Sequence, residues 1–327
     1  MKQSLNSNKQ LTVLDATLSD DNLGNEIILQ AIYQELNHLF PEYVFNKIPR
    51  RKPSFKMLKR NRKSQFSFLG GTNALSGQWW ANQRYGIPFS YLLLNNLILM
   101  GCGWWQWEEN KPDPYSRFLL RKILQHQYYH AVRDSYTQQK LKDIGINNTL
   151  FTACPSMWGI TKELCQTIPQ HKSNQVVFTL TDYATNNKRD TMLINQLLTN
   201  YTSLYFFPQG SRDLTYLQNL IPDQIKKIHI LKPHINALKA ILLESIDYVG
   251  TRLHAGIQAI HQGRRSVIIG IDNRASTMKD DFNLPVISAS AIDSLSNKIN
   301  AHWETIINIP HQNIMTWKAQ FKGLHDR

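Results

Sequence analysis

The chain has 327 residues, of which 42% are hydrophobic, and a formal net charge of +13 at pH 7. The length predicts two domains, and the apolar fraction is sufficient for folded cores, which excludes wholesale disorder. The positive charge favours anionic partners, namely nucleic acid, an acidic membrane surface, or phosphorylated and carboxylated substrates.

The three cysteines, Cys102, Cys154 and Cys165, form no CxxC pair, and their odd number does not suit a disulfide framework. We therefore expect a reducing compartment. The polar start of the chain has no signal-peptide apolar region, which predicts a cytoplasmic protein. The eleven histidines include no cluster with metal-ligand spacing. The sequence thus predicts neither a metal nor another cofactor.

The first strand-and-helix unit lies in residues 11–40, where apolar residues recur at helical spacing after a turn. Residues 47–63, KIPRRKPSFKMLKRNRK, follow with nine Lys or Arg and no acid. We predict a solvated loop there. A membrane-surface patch and a phosphate-contacting loop are the alternatives.

Residues 65–80, QFSFLGGTNALSGQWW, predict a short strand, a turn at Gly70 and Gly71, and the start of a helix. Thr72 or Asn73 would cap that helix. Because backbone N–H groups at such a turn can bind an anion, Gly70 and Gly71 are candidate substrate-binding residues.

The apolar stretch 91–107 predicts the end of a helix and a buried strand, since it is too interrupted to span a membrane. A helix over 115–125, a strand around 128–134 and a helix over 135–146 continue the alternation. Alternating strands and helices predict an α/β fold with mostly parallel sheets.

The second half repeats this alternation after an irregular, proline-containing segment, 153–174, which we interpret as a linker. We expect two α/β domains that face a cleft. The predicted divisions are an N-terminal domain on the acceptor side, a C-terminal domain on the donor side and a C-terminal helical segment: 1–155, 170–295 and 296–327.

Residues 247–275, DYVGTRLHAGIQAIHQGRRSVIIGIDNRA, place an Arg and a His where a strand meets a helix. Thr251 is a candidate N-cap, and Arg252 and His254 fall in the first turn, off the apolar face. Ligands of open parallel sheets bind beyond the carboxyl ends of strands. An Arg at a helix N-terminus is unfavourable unless negative charge is nearby, so its position indicates a bound anion, and a His there suits proton transfer.

A purely structural interpretation remains open at this point. Arg252 would pair with a local acid such as Asp247 or Asp272, and His254 would only cap the helix. From the residues alone, the two interpretations have equal weight.

The same stretch resembles the polysaccharide pyruvyl transferase family, whose hallmark is a strand followed by Arg-Leu-His-Ala. The other similar elements occur in the family's order, with Asn25 where Asp is usual and Thr72 in place of a third Gly. They are DNLGNEII (21–28), FLGGTNALS, AVRDSYTQQKLKDIGI (131–146) and FFPQGSRD (206–213). The resemblance covers roughly residues 15–290.

The resemblance implies a fold like that of two-domain GT-B glycosyltransferases, with two Rossmann-like domains. It also implies transfer of the enolpyruvyl unit of phosphoenolpyruvate to two hydroxyls of a sugar, with release of phosphate. Mapped by motif, Arg252 and the backbone N–H of Leu253 would hold the donor, His254 would be the general acid, and Arg133 would add a second anion contact. Arg274, at the end of the SVIIGI strand, is a further candidate donor contact.

Other residues have less defined roles. Candidate general bases are Asp21, His126 and His130. The aromatic loop with Trp104, Trp105 and Trp107 could stack a sugar ring, although core packing explains it equally well.

Three alternatives stay open. A GT-B glycosyltransferase that uses a nucleotide sugar would share the architecture, with Asp272 available for the donor. A nucleic-acid binder is disfavoured because the basic residues form one local block without a recognised module. An inactive family member with a scaffold role is compatible with Asn25 and Thr72. We expect phosphoenolpyruvate and a sugar acceptor as partners, and peripheral contact with the inner membrane face as a further hypothesis.

Overall fold

The computed structural model describes residues 9–78 and 86–322. The chain divides into two compact units. The first comprises residues up to 20, residues 28–158 and residues from 310 onward, and the second comprises 21–27 and 159–309. Among the residues described, no helix is both long and apolar enough to cross a bilayer.

Each unit is built on one parallel sheet. In the first the strand order is β2-β1-β3-β5-β6-β7, with β4 paired to β5, and in the second it is β10-β9-β8-β11-β12-β13. The strands of the first unit are β1 (Gln10–Asp15), β2 (Val44–Pro49), β3 (Phe66–Gly70), β4 (Asn73–Leu75), β5 (Leu97–Trp104), β6 (His130–Val132) and β7 (Thr149–Phe151). Those of the second are β8 (Gln175–Thr179), β9 (Ser203–Phe206), β10 (Ile228–Ile230), β11 (Asp247–Gly250), β12 (Ser266–Gly270) and β13 (Val286–Ser288).

Helices connect the strands, as parallel pairing requires. They are α1 (Leu23–Leu39), α2 (Phe55–Arg60), α3 (Pro114–Leu124), α4 (Ser135–Lys142), α5 (Lys162–Thr167), α6 (Asn187–Asn200), α7 (Asp213–Leu220), α8 (Ile235–Ile241), α9 (Leu253–His261), α10 (Asn273–Phe282), α11 (Leu295–Asn300) and α12 (His311–Ala319). The central strands are buried along their whole length, as β5 shows, because helices cover both faces of a parallel sheet. The predicted α/β class with mostly parallel sheets is confirmed.

The strand orders locate the two crevices in which such sheets bind ligands. The second sheet has the doubly wound order 3-2-1-4-5-6, which reverses between β8 and β11. The first sheet reverses between β1 and β3, and Gly70 ends β3 there.

The helix predicted after Gly71 is wrong for the described residues, and its end at Trp79 and Trp80 lies outside them. Gly71 has a φ of +62°, and the chain then enters strand β4. The N–H of Gly103 donates to the Thr72 carbonyl at 2.9 Å, so β5 offers this segment a strand partner that its own sequence does not reveal.

The loop predicted for residues 47–63 is also wrong in part. The run contains the end of β2, the helix α2 and a 3₁₀ turn, Asn61–Lys63. Ser54 caps α2 by accepting from the N–H of Met57 at 3.3 Å, and Leu58 is buried beneath it.

The C-terminal helix α12 is part of the first unit. Trp317 is buried, with ring centroids 5.5 Å from Trp158 and 5.1 Å from Phe321. This contact explains how a helix at the far end of the chain becomes part of the N-terminal core.

We expect Trp317→Ala to lower the free energy of unfolding by about 3–5 kcal/mol, because a buried aromatic ring is lost and leaves a cavity. Denaturant unfolding measures the change. Met315→Ala on the exposed side of α12 is the matched control, with a change of about 0.5 kcal/mol or less. Equal effects of the two substitutions would contradict the packing of α12 described here.

Candidate functional site

The crevice of the second sheet is formed by the chain segments that follow β8 and β11. The N–H of Thr251 donates to the carbonyl of Thr179 at 3.1 Å, and the hydroxyls of Thr181 and Thr251 are 2.8 Å apart. These bonds hold the two strand ends together and fix the start of α9.

Arg252 is the N-cap residue of α9, so the predicted N-cap at Thr251 is wrong. Its buried guanidinium donates through Nε to the Leu180 carbonyl at 3.0 Å and to Asp213 Oδ2 at 3.1 Å. Its Nη2 donates to Asp182 Oδ1 at 3.0 Å and also to Asp213 Oδ1. The carboxylate partners of Arg252 are therefore Asp182 and Asp213, not the nearby acids that the sequence offered.

Asp213 fixes this arrangement through further bonds. Its fully buried carboxylate accepts from the backbone N–H groups of Asp182, Gln209 and Gly210 at 3.0, 3.1 and 2.7 Å. A side chain at Gly210 would place a Cβ only 2.4 Å from Arg252 Nη2. The sequence Gly-Ser-Arg-Asp at 210–213 thus supplies both the space for the Arg252 guanidinium and the carboxylate that holds it.

The charges of this cluster act on one another. Burial opposes the charge of Arg252, but Asp213, Tyr183 and Asp182 together outweigh burial and raise the pKa of Arg252. Burial also opposes ionisation of Asp182, while Arg252 and Arg212 hold the pKa of Asp182 below its usual value. Burial raises the pKa of Asp213, although Arg252 and the N–H groups of Gly210 and Asp182 oppose that rise. Arg252 and Asp182 are thus held in their charged forms.

Tyr183 connects Arg252 to Arg274. The Tyr183 ring, 55% exposed, has its centroid 4.9 Å from the Arg252 guanidinium carbon, and its hydroxyl lies 3.3 Å from Arg274 Nη2. Arg274 also pairs with Asp272, the N-cap of α10, through Nε at 3.0 Å. The structure thus places Arg274 beside Arg252, at an aromatic ring that solvent reaches.

Leu253 and His254 are the first two residues of α9. The first N–H groups of a helix have no partner within the helix and form its positive end. His254 is only 5% exposed, so the imidazole presents little more than an edge to solvent. Arg252, Leu253, His254 and Arg274 therefore lie in one region, as the sequence predicted, while their roles remain predictions.

Arg133 lies in the first unit, after β6. Its buried guanidinium donates through Nε to Asp134 Oδ2 at 2.9 Å and through Nη1 to Asn73 Oδ1 at 2.6 Å. Its Nη2 is buried and has no hydrogen-bond partner among the described residues. Gly103 leaves the space, since a Cβ there would meet the guanidinium at 2.0 Å. Asp134 is the N-cap residue of α4 and accepts from Thr137 N at 2.7 Å.

Gly70 and Gly71 lie where the first sheet reverses its order, but both face α1. A Cβ would be 2.3 Å from Ile32 Cδ1 at Gly70 and 2.0 Å from Ile28 Cγ2 at Gly71. Close packing of α1 explains both glycines, and their part in substrate binding remains a prediction.

Two of the candidate bases are used structurally. His130 is buried, accepts from the N–H of Leu99 at Nδ1 (3.2 Å) and lies 2.7 Å from the Leu124 carbonyl at Nε2; burial lowers its pKa to about 3. His126 Nε2 lies 3.0 Å from the Leu97 carbonyl, and burial lowers its pKa too. Asp21 is exposed just before α1.

The aromatic loop has two kinds of members. Trp104 is fully buried and donates from Nε1 to Glu108 at 2.7 Å, so core packing accounts for it. Trp107 is exposed and packs edge-on against Tyr136 at 4.6 Å. Of the two, only Trp107 presents a face that a sugar could stack on.

The fold is of the GT-B type, as two solved structures show. A putative UDP-N-acetylglucosamine 2-epimerase from Listeria monocytogenes has a TM-score of 0.55 at 9% identity, over 98% of this chain and 97% of that one. The Methanocaldococcus jannaschii UDP-GlcNAc 2-epimerase, in complex with UDP-GlcNAc and UDP, has a TM-score of 0.55 at 10% identity, over 96% and 100%. At such identities the likeness concerns the fold alone.

The family is established by sequence. Residues 22–273, well over half of the chain, match the family model of polysaccharide pyruvyl transferase. The protein belongs to that enzyme family, as the Arg-Leu-His-Ala and Val-Arg-Asp elements predicted. None of the curated proteins compared with the chain matches it.

We expect Asp213→Asn to lower the free energy of unfolding by about 3–5 kcal/mol, because it leaves the buried charge of Arg252 without its main partner. Chemical denaturation at neutral pH tests this. The exposed Asp223 provides the control, and Asp223→Asn should change stability by about 0.5 kcal/mol or less. If Asp213→Asn is as stable as the wild type, Asp213 is not the main partner of the buried Arg252 charge.

The neutral, buried His130 should make the protein acid-sensitive. Its folded pKa of about 3 lies below the ordinary histidine value of 6.5, so the unfolded state binds the proton first and stability falls as pH drops below 6.5. Between pH 7 and pH 5 this amounts to about 2 kcal/mol. Between pH 7 and pH 5, the free energy of unfolding should fall by about 2 kcal/mol less in His130→Gln than in the wild type. If the two proteins lose stability in parallel, His130 is not the neutral group responsible.

Proposed function

We propose that this protein transfers the enolpyruvyl group of phosphoenolpyruvate to a sugar of an exopolysaccharide or cell-surface glycan precursor, and forms a pyruvate ketal. Family membership supports pyruvyl transfer. An anionic donor is supported by one observation in particular. Arg252, Arg274 and the start of α9 lie together where the second sheet reverses its strand order. Tyr183 forms the solvent-facing part of this region.

Donor binding would depend on directed N–H groups more than on net charge. The three guanidiniums of the cluster are offset by three carboxylates, since Arg252, Arg212 and Arg274 face Asp182, Asp213 and Asp272. The N–H groups at the start of α9, including that of Leu253, would bind phosphate or carboxylate oxygens, as helix N-termini do. Asp213 would act as a positioning residue that fixes the Arg252 fork.

Arg133 is proposed as a second donor contact. Its Nη2 is a buried cationic donor without a hydrogen-bond partner in the described part of the chain, and such an atom is costly to leave unsatisfied. A phosphate or carboxylate oxygen of the donor would satisfy it. Gly70 and Gly71 are also proposed to lie next to the substrate. The support for this is their position where the first sheet reverses its strand order.

His254 would be the general acid. A sugar hydroxyl would add to the carbon that bears the phosphate ester, and the methylene carbon would take a proton from the imidazole to become a methyl group. The hydroxyl proton would pass to solvent, phosphate would leave with the electrons of its C–O bond, and the second hydroxyl would add to the same carbon and lose its proton to solvent, which completes the ketal. A buried position in the first turn of α9 would keep the imidazole oriented and limit competition from water.

Transfer of a sugar from a nucleotide sugar is the second candidate. One observation favours it: the chain shares its fold with an epimerase whose structure holds UDP-GlcNAc and UDP. Against it, Asp272, the acid available for such a donor, is already bonded to the N–H and guanidinium of Arg274 at 3.0 Å each.

The deciding experiment is phosphate release from phosphoenolpyruvate with galactose, mannose and glucose acceptors. We expect acceptor-dependent release by the wild type, reduced about 10²–10⁴-fold in His254→Ala by loss of the acid. His38→Ala, which changes an exposed histidine of α1, should keep the wild-type rate.

Other results would revise the proposal in defined ways. Release that survives His254→Ala would keep the reaction and reject His254 as the acid. Absence of release, together with tighter binding of UDP or a UDP-sugar than of phosphoenolpyruvate in calorimetry, would favour the second candidate.

A further inference from the structure

The basic run forms an exposed surface on the first unit that the proposed reaction does not use. Two of its nine basic residues are tied down: Arg50 is buried and donates to the Asn73 carbonyl at 2.9 Å, and Arg51 pairs with Asp20 at 3.4 Å. Lys47 lies over the Tyr33 ring at 4.5 Å. The remaining six are exposed: Lys52, Lys56, Lys59, Arg60, Arg62 and Lys63. Within the part of the chain that the structure describes, none of the six forms an ion pair.

Two large apolar side chains are exposed in the same neighbourhood. Phe55 begins α2 and is 64% exposed, and Phe89 begins the 3₁₀ turn Phe89–Leu93 and is 54% exposed. That turn packs against α2, and Tyr91 within it donates to the Arg50 carbonyl at 2.6 Å. Residues 86–96 carry no acidic side chain.

The helical geometry of α2 places charge and apolar surface on one face. Phe55 and Lys59 are four residues apart, as are Lys56 and Arg60, so each pair shares a side of the helix. Leu58 points inward and is buried. The exposed side of α2 therefore carries an aromatic ring beside a row of cations.

We propose that this surface, formed by α2, the six exposed basic residues and Phe89, docks the protein on an anionic lipid membrane. Lipid phosphates would neutralise the cations, and Phe55 and Phe89 would enter the boundary between headgroups and acyl chains. An RNA could neutralise the same charges, but it would leave the two exposed phenylalanines without an apolar environment. This inference does not depend on the pyruvyl transfer proposed above.

The test is vesicle co-sedimentation of the full chain, without any substrate. We expect binding to phosphatidylglycerol-rich vesicles, weakened by salt, and little binding to phosphatidylcholine vesicles. Lys56→Gln combined with Lys59→Gln should weaken binding about 30-fold, and Phe55→Ser about tenfold.

Matched controls keep the test specific. Lys226→Gln with Lys227→Gln removes two exposed charges elsewhere, and Phe118→Ser changes a phenylalanine of α3 that is 57% exposed; both should bind like wild type. Because all altered side chains are exposed, folding should persist, which circular dichroism checks. No preference for anionic vesicles, an equal loss in the controls, or binding of single-stranded RNA without binding of vesicles would overturn the proposal.

Discussion

The buried pair between Arg252 and Asp213 is the interaction on which the second unit's crevice depends. It joins the end of β11 to the start of α7, and Asp182 adds the segment after β8. A buried guanidinium is tolerated only when its charge and its N–H groups are satisfied. The three segments must therefore meet in one geometry, and the start of α9, with His254, is held in place by the same constraint.

The first unit also buries an arginine beside a carboxylate and a glycine, but not all of its nitrogens are bonded. Arg133 is buried beside Asp134 and Asn73, and Gly103 leaves it room as Gly210 does for Arg252. In both places a side chain on the glycine would collide with a guanidinium. Arg133, however, has one buried nitrogen, Nη2, that forms no hydrogen bond with residues 9–78 or 86–322. Because a buried donor without an acceptor is costly, an acceptor that reaches Arg133 Nη2 would stabilise the first unit.

Local sequence was sufficient for most of the elements and for the grouping of Arg252, Leu253, His254 and Arg274. Strand and helix periodicity predicts α1, β5, β8 and α9, and the loops after β11 and β12 must lie at one edge of a parallel sheet. Asp182 and Asp213 were missed because they are 70 and 39 residues from Arg252. β4 was missed for a related reason, since its strand character depends on a distant partner, β5. The Gly-Ser-Arg-Asp sequence after β9 was the available signal for Asp213. The sequence alone does not show, however, that this segment lies next to Arg252 in the fold.

The large positive charge of the chain is not located at the Arg252 cluster, where carboxylates offset the guanidiniums. It is prominent instead on the surface around α2, where exposed cations have no acid within their own segment.

The paired charges of the Arg252 cluster and the unpaired charges around α2 have different physical effects. Unpaired surface charge acts over about a Debye length and attracts extended anionic partners. A cluster in which carboxylates offset the guanidiniums has little long-range field, but its hydrogen bonds fix the orientation of donors and so favour recognition by geometry. If both proposals hold, approach to a membrane and selection of a small substrate depend on separate parts of the molecule.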